Sequence, residues 1–247
     1  MTARHKPFLP AVLGGLVVIA VVAAWAEERT DSQRPGADLN AFVKECARAR
    51  AANGKVQVVR WFSWEYTIAS NIEEYEGNRE QLEQEIRYLR PYIICMVMRK
   101  PVGTSHGVAL DEADVRRAAK VLDRHGRAVA PLDQVPPEVA DYLARLREAI
   151  GRVAMAAQYV FLVFPRQDVD GNVIVDEQRR DKLTVVLQAA DGYPEFRAEF
   201  RTPFDAASPP IKCPSCADDV SRKWSYCAWC GVKLPASADD AAATPPK

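Results

Sequence analysis

Histidine is nearly absent from this chain. Of its three, only His106 and His125 lie beyond an N-terminal apolar stretch, and each sits in a glycine-flanked turn, so the side chain used most often for general acid-base work is in short supply. There is no glycine-rich phosphate loop, no G-x-S-x-G and no H-E-x-x-H. These absences remove the usual signatures of nucleotide binding, serine hydrolysis and zinc proteolysis. Charge of a single sign is also lacking. Lysine and arginine total 33 and so do aspartate and glutamate, with no long run of either, so nothing in the balance draws the chain toward nucleic acid or an acidic substrate. The carboxylates are scattered over faces that read as solvated. The expectation is a protein that is not an enzyme, with no catalytic residue, no organic cofactor and no small-molecule substrate.

What the chain has is cysteine in one pattern. Cys213-Pro-Ser-Cys216 is followed after ten residues by Cys227-Ala-Trp-Cys230-Gly231. Each C-x-x-C pair can bend into a knuckle that aims two thiolates at one ion, and two pairs complete a tetrahedral all-sulfur shell. Four protein ligands leave no open position, so the spacing predicts structural zinc held by Cys213, Cys216, Cys227 and Cys230. The remaining cysteines, Cys46 and Cys95, are far apart in sequence; they either pair in an oxidising compartment or are two buried thiols.

On these residues, Ile211 to Pro235 resembles the small zinc-ribbon modules of the type CPxCG, then CxxCG, then leucine. The four cysteines match the ligand positions, Gly231 the glycine after the second knuckle, and Leu234 the apolar residue that closes the ribbon. Ala217 departs from the pattern, standing where a glycine usually serves a positive φ. The resemblance covers about a tenth of the chain. It implies a zinc site in an interaction or stabilising module and no particular activity.

At the other end, Arg4 and Lys6 precede nineteen uncharged residues, Phe8 to Ala26. This is an export or anchoring segment, intermediate in length between a signal-peptide core and a spanning helix. Ala24-Trp25-Ala26 fits a cleavage site ending at Ala26, whereas the length and unbroken apolar character favour a retained anchor across residues 8–26. The basic flank stays in the cytoplasm, which places the C-terminal part outside it. Residues 27–37 read as a linker, 38–207 as a β-rich α+β domain, 211–235 as the ribbon and 236–247 as a disordered tail.

Within the domain, antiparallel and sandwich-like, a helix is expected from Asp38 until Asn53-Gly54 stops it, and Lys55 to Ile68 reads as one or two strands. An amphipathic helix follows over Asn78 to Arg90, then a buried central strand over Tyr92 to Met98. Residues 111–131 admit a helix capped by Asp111 or a hairpin turning at Asp123 to Gly126, with the hairpin favoured. Pro136-Pro137 opens a helix, Tyr159 to Phe164 reads as an interior strand, and Val173 to Val175, Lys182 to Gln188 and Glu195 to Arg201 continue an antiparallel meander. Residues 166–177 match an EF-hand at Asp168, Asp170, Gly171 and Glu177 but place Arg166 at position 1, so a hairpin on Asp170-Gly171 is preferred. Trp224, Tyr226 and Trp229 with four basic residues hint at nucleic acid, but in so small a module they are expected to form its core. Three functions are therefore carried: an exported or anchored zinc-ribbon protein of the cell envelope that binds or supports a protein partner; a thiol redox or metal-sensing protein working through its two C-x-x-C pairs; and, disfavoured by the export segment, a cytoplasmic nucleic-acid-binding ribbon.

Overall fold

The computed structural model describes residues 39–101, 111–151, 159–207 and 210–235. The apolar segment, linker, His106 loop and C-terminal tail therefore lie outside the described residues. Ten strands occur among them: β1 (Ala47–Ala52), β2 (Lys55–Phe62), β3 (Tyr92–Pro101), β4 (Ala119–Leu122), β5 (Ala128–Val129), β6 (Tyr159–Pro165), β7 (Asp181–Leu187), β8 (Phe196–Thr202), β9 (Ile211–Lys212) and β10 (Asp219–Val220). The α-helices are α1 (Leu39–Cys46), α2 (Trp64–Asn71), α3 (Arg79–Ile86), α4 (Glu112–Ala118) and α5 (Pro137–Gly151). The result is α+β with antiparallel sheets, ordered β1-β2-β3-β6 and β5-β4-β7-β8, and a small pair β9-β10.

Strand alternation explains how the layers stack. In β6, Val160, Leu162 and Phe164 point into a core shared with Val121, Val185, Ala198 and Phe200 of the second sheet, while Phe161 and Val163 point the other way, onto Val139 and Leu143 of α5. β8 buries Phe196, Ala198 and Phe200 and exposes the charged residues between them. The open side between the sheets is closed by side chains from the first. Arg48 Nε donates to Glu199 O at 2.8 Å, Arg50 Nη1 to Glu195 O at 2.6 Å and Gln57 Nε2 to Pro194 O at 2.7 Å. Backbone acceptors at the β8 edge are thus satisfied without a further strand.

Several expectations are corrected. The first helix ends at Cys46, and Asn53-Gly54 turns the β1-β2 hairpin with both residues at positive φ, 54° and 67°, as a two-residue type I′ loop requires. Trp64 and Tyr66 lie in helix α2, which starts because Ser63 Oγ accepts from Tyr66 N at 3.0 Å and Glu177 Oε2 from Glu65 N at 3.2 Å. Residues 111–131 contain both of the competing structures, α4 followed by the β4-β5 hairpin. β6 ends its sheet and is not interior to it, yet Leu132 N donates to Val163 O at 2.7 Å on that side and both faces are covered. Val173 to Val175 forms one bridge, Val173 to Gln167, and no strand.

The 166–177 loop shows how arginines occupy the role a cation would have. Arg166 Nη1 lies 3.3 Å from Glu177 Oε1, and Arg127 Nη2 lies 3.1 Å from Asp168 and 2.7 Å from Asp170. Arg127 Nε also meets Asp123 at 2.6 Å, which pins the β4-β5 turn to this loop. Burial alone would raise the Asp123 carboxyl, but the Arg127 side chain and the N–H groups of Arg127 and His125 outweigh it and hold it below its usual 3.8. Asp168 is lowered in the same way against burial, by Asn172, the Asp170 N–H and Arg127. A carboxyl lowered on folding adds stability that is complete above the ordinary value and is lost as pH falls through the folded one. Arg127→Leu should therefore lower the melting temperature at pH 7, and the variant and wild-type temperatures should converge as pH drops below 3.8. Equal melting at pH 7 would show that Arg127 pins nothing.

Candidate metal centre

The two cysteine knuckles repeat one backbone pattern. In the first, Ala217 N donates to Cys213 O at 3.0 Å, Cys213 N to Asp218 O at 2.9 Å and Ser215 N to Cys213 Sγ at 3.5 Å. In the second, Gly231 N donates to Cys227 O at 3.0 Å, Cys227 N to Val232 O at 2.8 Å and Trp229 N to Cys227 Sγ at 3.4 Å. The fifth residue of each knuckle must turn left-handed, and both do, with φ of 62° at Ala217 and 73° at Gly231. The alanine found by sequence to depart from the ribbon pattern thus sits in a conformation that costs a non-glycine residue about 1 kcal/mol. β9 pairs with β10, and Tyr226 bridges to Lys233, so each knuckle hangs from a short antiparallel pair.

These turns bring all four sulfurs together. Cys213, Cys216, Cys227 and Cys230 place Sγ atoms within 4.8 Å of one another, with 3.6 Å across the knuckles for Cys213–Cys230 and again for Cys216–Cys227. Zinc bonded to sulfur at about 2.3 Å in a tetrahedron needs sulfurs about 3.8 Å apart, so the donor set and spacing fit a metal ion. Burial would raise the Cys213 thiol, yet the N–H groups of Cys216 and Ser215, with the Cys216 and Cys230 thiols, bring it from 9.0 down to about 6. Cys216, despite the Asp218 N–H, is pushed up by burial and by the neighbouring side chains of Asp218, Cys213 and Cys227, so the first thiolate of the cluster settles on Cys213. Cys46 and Cys95 take no part: both are free, buried thiols, and burial pushes Cys46 up to about 12. His125 is exposed in the β4-β5 turn, away from any metal cluster among the described residues.

The expected aromatic core is overturned. The interior consists of Cys213, Val220, Cys227 and Leu234, while Trp224, Tyr226 and Trp229 are 42%, 60% and 70% exposed. Two knuckles turned onto one four-sulfur centre need so little apolar filling that bulky rings have no room inside.

Sequence reasoning also missed the residue that joins the ribbon to the sheets. Arg180, just before β7, donates from Nε to Arg222 O at 2.7 Å, from Nη2 to Pro235 O at 2.5 Å and from Nη1 to Leu234 O at 3.5 Å. Lys223 Nζ adds Glu45 of α1 at 2.8 Å and Asp205 at 2.9 Å, and Ser221 Oγ donates to Asp205 at 2.6 Å. No spacing rule links an arginine to carbonyls more than forty residues away. Arg180→Ala should retain its metal but release the ribbon, read as faster proteolysis near residues 208–210. An unchanged cleavage rate would mean that the Arg180 fork contributes nothing to docking.

Fold and site together define an α+β chain carrying a four-cysteine cluster able to hold a metal ion. No protein-family model matches the chain, and no curated protein matches it. Among solved structures it is similar to a DUF4426 family protein from Pseudomonas aeruginosa PAO1, at 13% identity over 64% of this chain and 93% of that one, with a TM-score of 0.28. So loose a superposition assigns neither family nor function.

Proposed function

We propose that this is a zinc-ribbon protein of the cell envelope, anchored by residues 8–26 or released by cleavage at Ala26, with a binding or supporting role and no catalysis. The closed donor set carries the reading. Four sulfurs around one centre leave no position for water or substrate, so the ion stabilises the ribbon and the docked ribbon presents a surface. Zinc is the metal that best suits four thiolates in a tetrahedron. Envelope location is supported by the uncharged run from Phe8 to Ala26 and its basic flank. No helix among the described residues is long and apolar enough to cross a membrane, so a single span would be residues 8–26 themselves.

Topology tests the reading. With a tag on the C-terminus, protease added to intact cells (to spheroplasts where an outer membrane intervenes) should remove it, and the protein should stay with the membrane through alkaline washing if the segment is retained. A tag that remains protected until the cells are lysed would place the ribbon in the cytoplasm and favour the nucleic-acid reading.

A further inference from the structure

We infer that the ribbon's exposed aromatic segment, Trp224 to Trp229, rests in the headgroup region of the bilayer that holds the N-terminal segment; this builds on the anchored form of the proposed function. The described residues expose five large apolar side chains, and the three aromatic ones all fall within these six positions. The other two, Val169 and Val173, are aliphatic and belong to the 166–177 loop. Tryptophan and tyrosine with an apolar ring and a polar edge are the side chains that favour the membrane-water boundary. One basic residue accompanies them, since Lys233 pairs with Tyr226 across the strand bridge, as suits anionic headgroups, whereas Lys212 on β9 is engaged by Asp219 at 3.0 Å.

Position in the fold selects lipid over other occupants. The apolar run ends at Ala26, and twelve residues lead to α1 at Leu39, a tether that reaches at most about 40 Å. The ribbon docks on that same helix, through Lys223 to Glu45 at 2.8 Å, and the aromatic segment begins one residue later. The ribbon thus docks on the helix with which the described chain begins, so Trp224 to Trp229 lie within the tether's reach of the bilayer. Held there, the rings gain an apolar environment without a separate search for it.

The test uses the full chain reconstituted in vesicles of phosphatidylcholine and phosphatidylglycerol, with nitroxide-labelled lipids as fluorescence quenchers. Trp25→Phe removes the tryptophan of the apolar segment. Subtracting the signal of Trp25→Phe/Trp224→Phe/Trp229→Phe then isolates the ribbon, and metal content confirms that both variants fold there. Flotation with the vesicles reads the anchor, and the difference signal reads the ribbon. Expected are flotation of both variants and strong quenching of the difference signal by headgroup-level nitroxide. Flotation without that quenching overturns the inference and leaves the anchor standing. Failure to float overturns the anchor and this inference with it. Quenching by added single-stranded DNA in place of lipid, or shielding of the same tryptophans by self-association, overturns it in favour of those occupants.

Discussion

Leu162→Asp should abolish cooperative folding of the two-sheet domain. Leu162 is fully buried on β6, faces Cys95 across the pair with β3, and lies in the core between the sheets. A carboxylate there has no arginine or lysine within the cluster, where every member is apolar, so it would either stay charged and unpaired or fold only when protonated. The cost, on the order of 4–5 kcal/mol or more, consumes most of the about 5–15 kcal/mol that keeps a domain folded. Leu162→Met, which preserves volume and polarity, should cost less than about 1.5 kcal/mol. Far-UV circular dichroism through a thermal ramp separates the two. An aspartate variant that melts like the wild type would mean that β6 is not sealed between two layers.

Cys227→Ser should strip the ribbon of metal while leaving that domain intact. Cys227 supplies one of the four clustered sulfurs and is also the hub of its knuckle: its N–H, carbonyl and sulfur each hold a hydrogen bond, and its sulfur lies 3.6 Å from that of Cys216. A serine hydroxyl is a poor zinc ligand and shortens the reach, and because few apolar residues fill the ribbon core, metal binding and ribbon folding are one event. Metal should fall from about one equivalent per chain to none retained against a chelator. Hydrogen exchange should accelerate over 211–235 and stay slow over β2, β3 and β6. Full retention of metal in this variant would remove Cys227 from the ligand set.

How much of this was legible in the sequence depended on whether the determinant was local. β8 announces itself by strict alternation, β3 by its apolar run, α5 by Pro136-Pro137, and the metal cluster by two spaced pairs of cysteine. β1 does not. Its sequence, Ala-Arg-Ala-Arg-Ala-Ala, favours helix, and pairing with β2 together with the Asn53-Gly54 turn imposes the strand; the asparagine-glycine pair was the signal available. Helix α2 reads as strand in the sequence because Trp64, Tyr66, Thr67 and Ile68 are good strand formers. Part of what decides for helix is Glu177, 112 residues further along the chain, capping Glu65 N. The exposed rings of the ribbon are not legible in the sequence, because a module so small suggests that aromatics must fill it, whereas the cysteines, Val220 and Leu234 suffice. Arg127 and Arg180 act through partners distant in sequence, so only the folded chain reveals them.

The most direct measurement of the central claim is zinc K-edge X-ray absorption on the full chain, purified reduced and without added metal. One zinc per chain with four sulfur scatterers at about 2.3 Å and no lighter neighbour in the shell is the expected result. A shell containing nitrogen or oxygen, or a chain without zinc whose ribbon is nonetheless ordered, would contradict a closed site formed by Cys213, Cys216, Cys227 and Cys230.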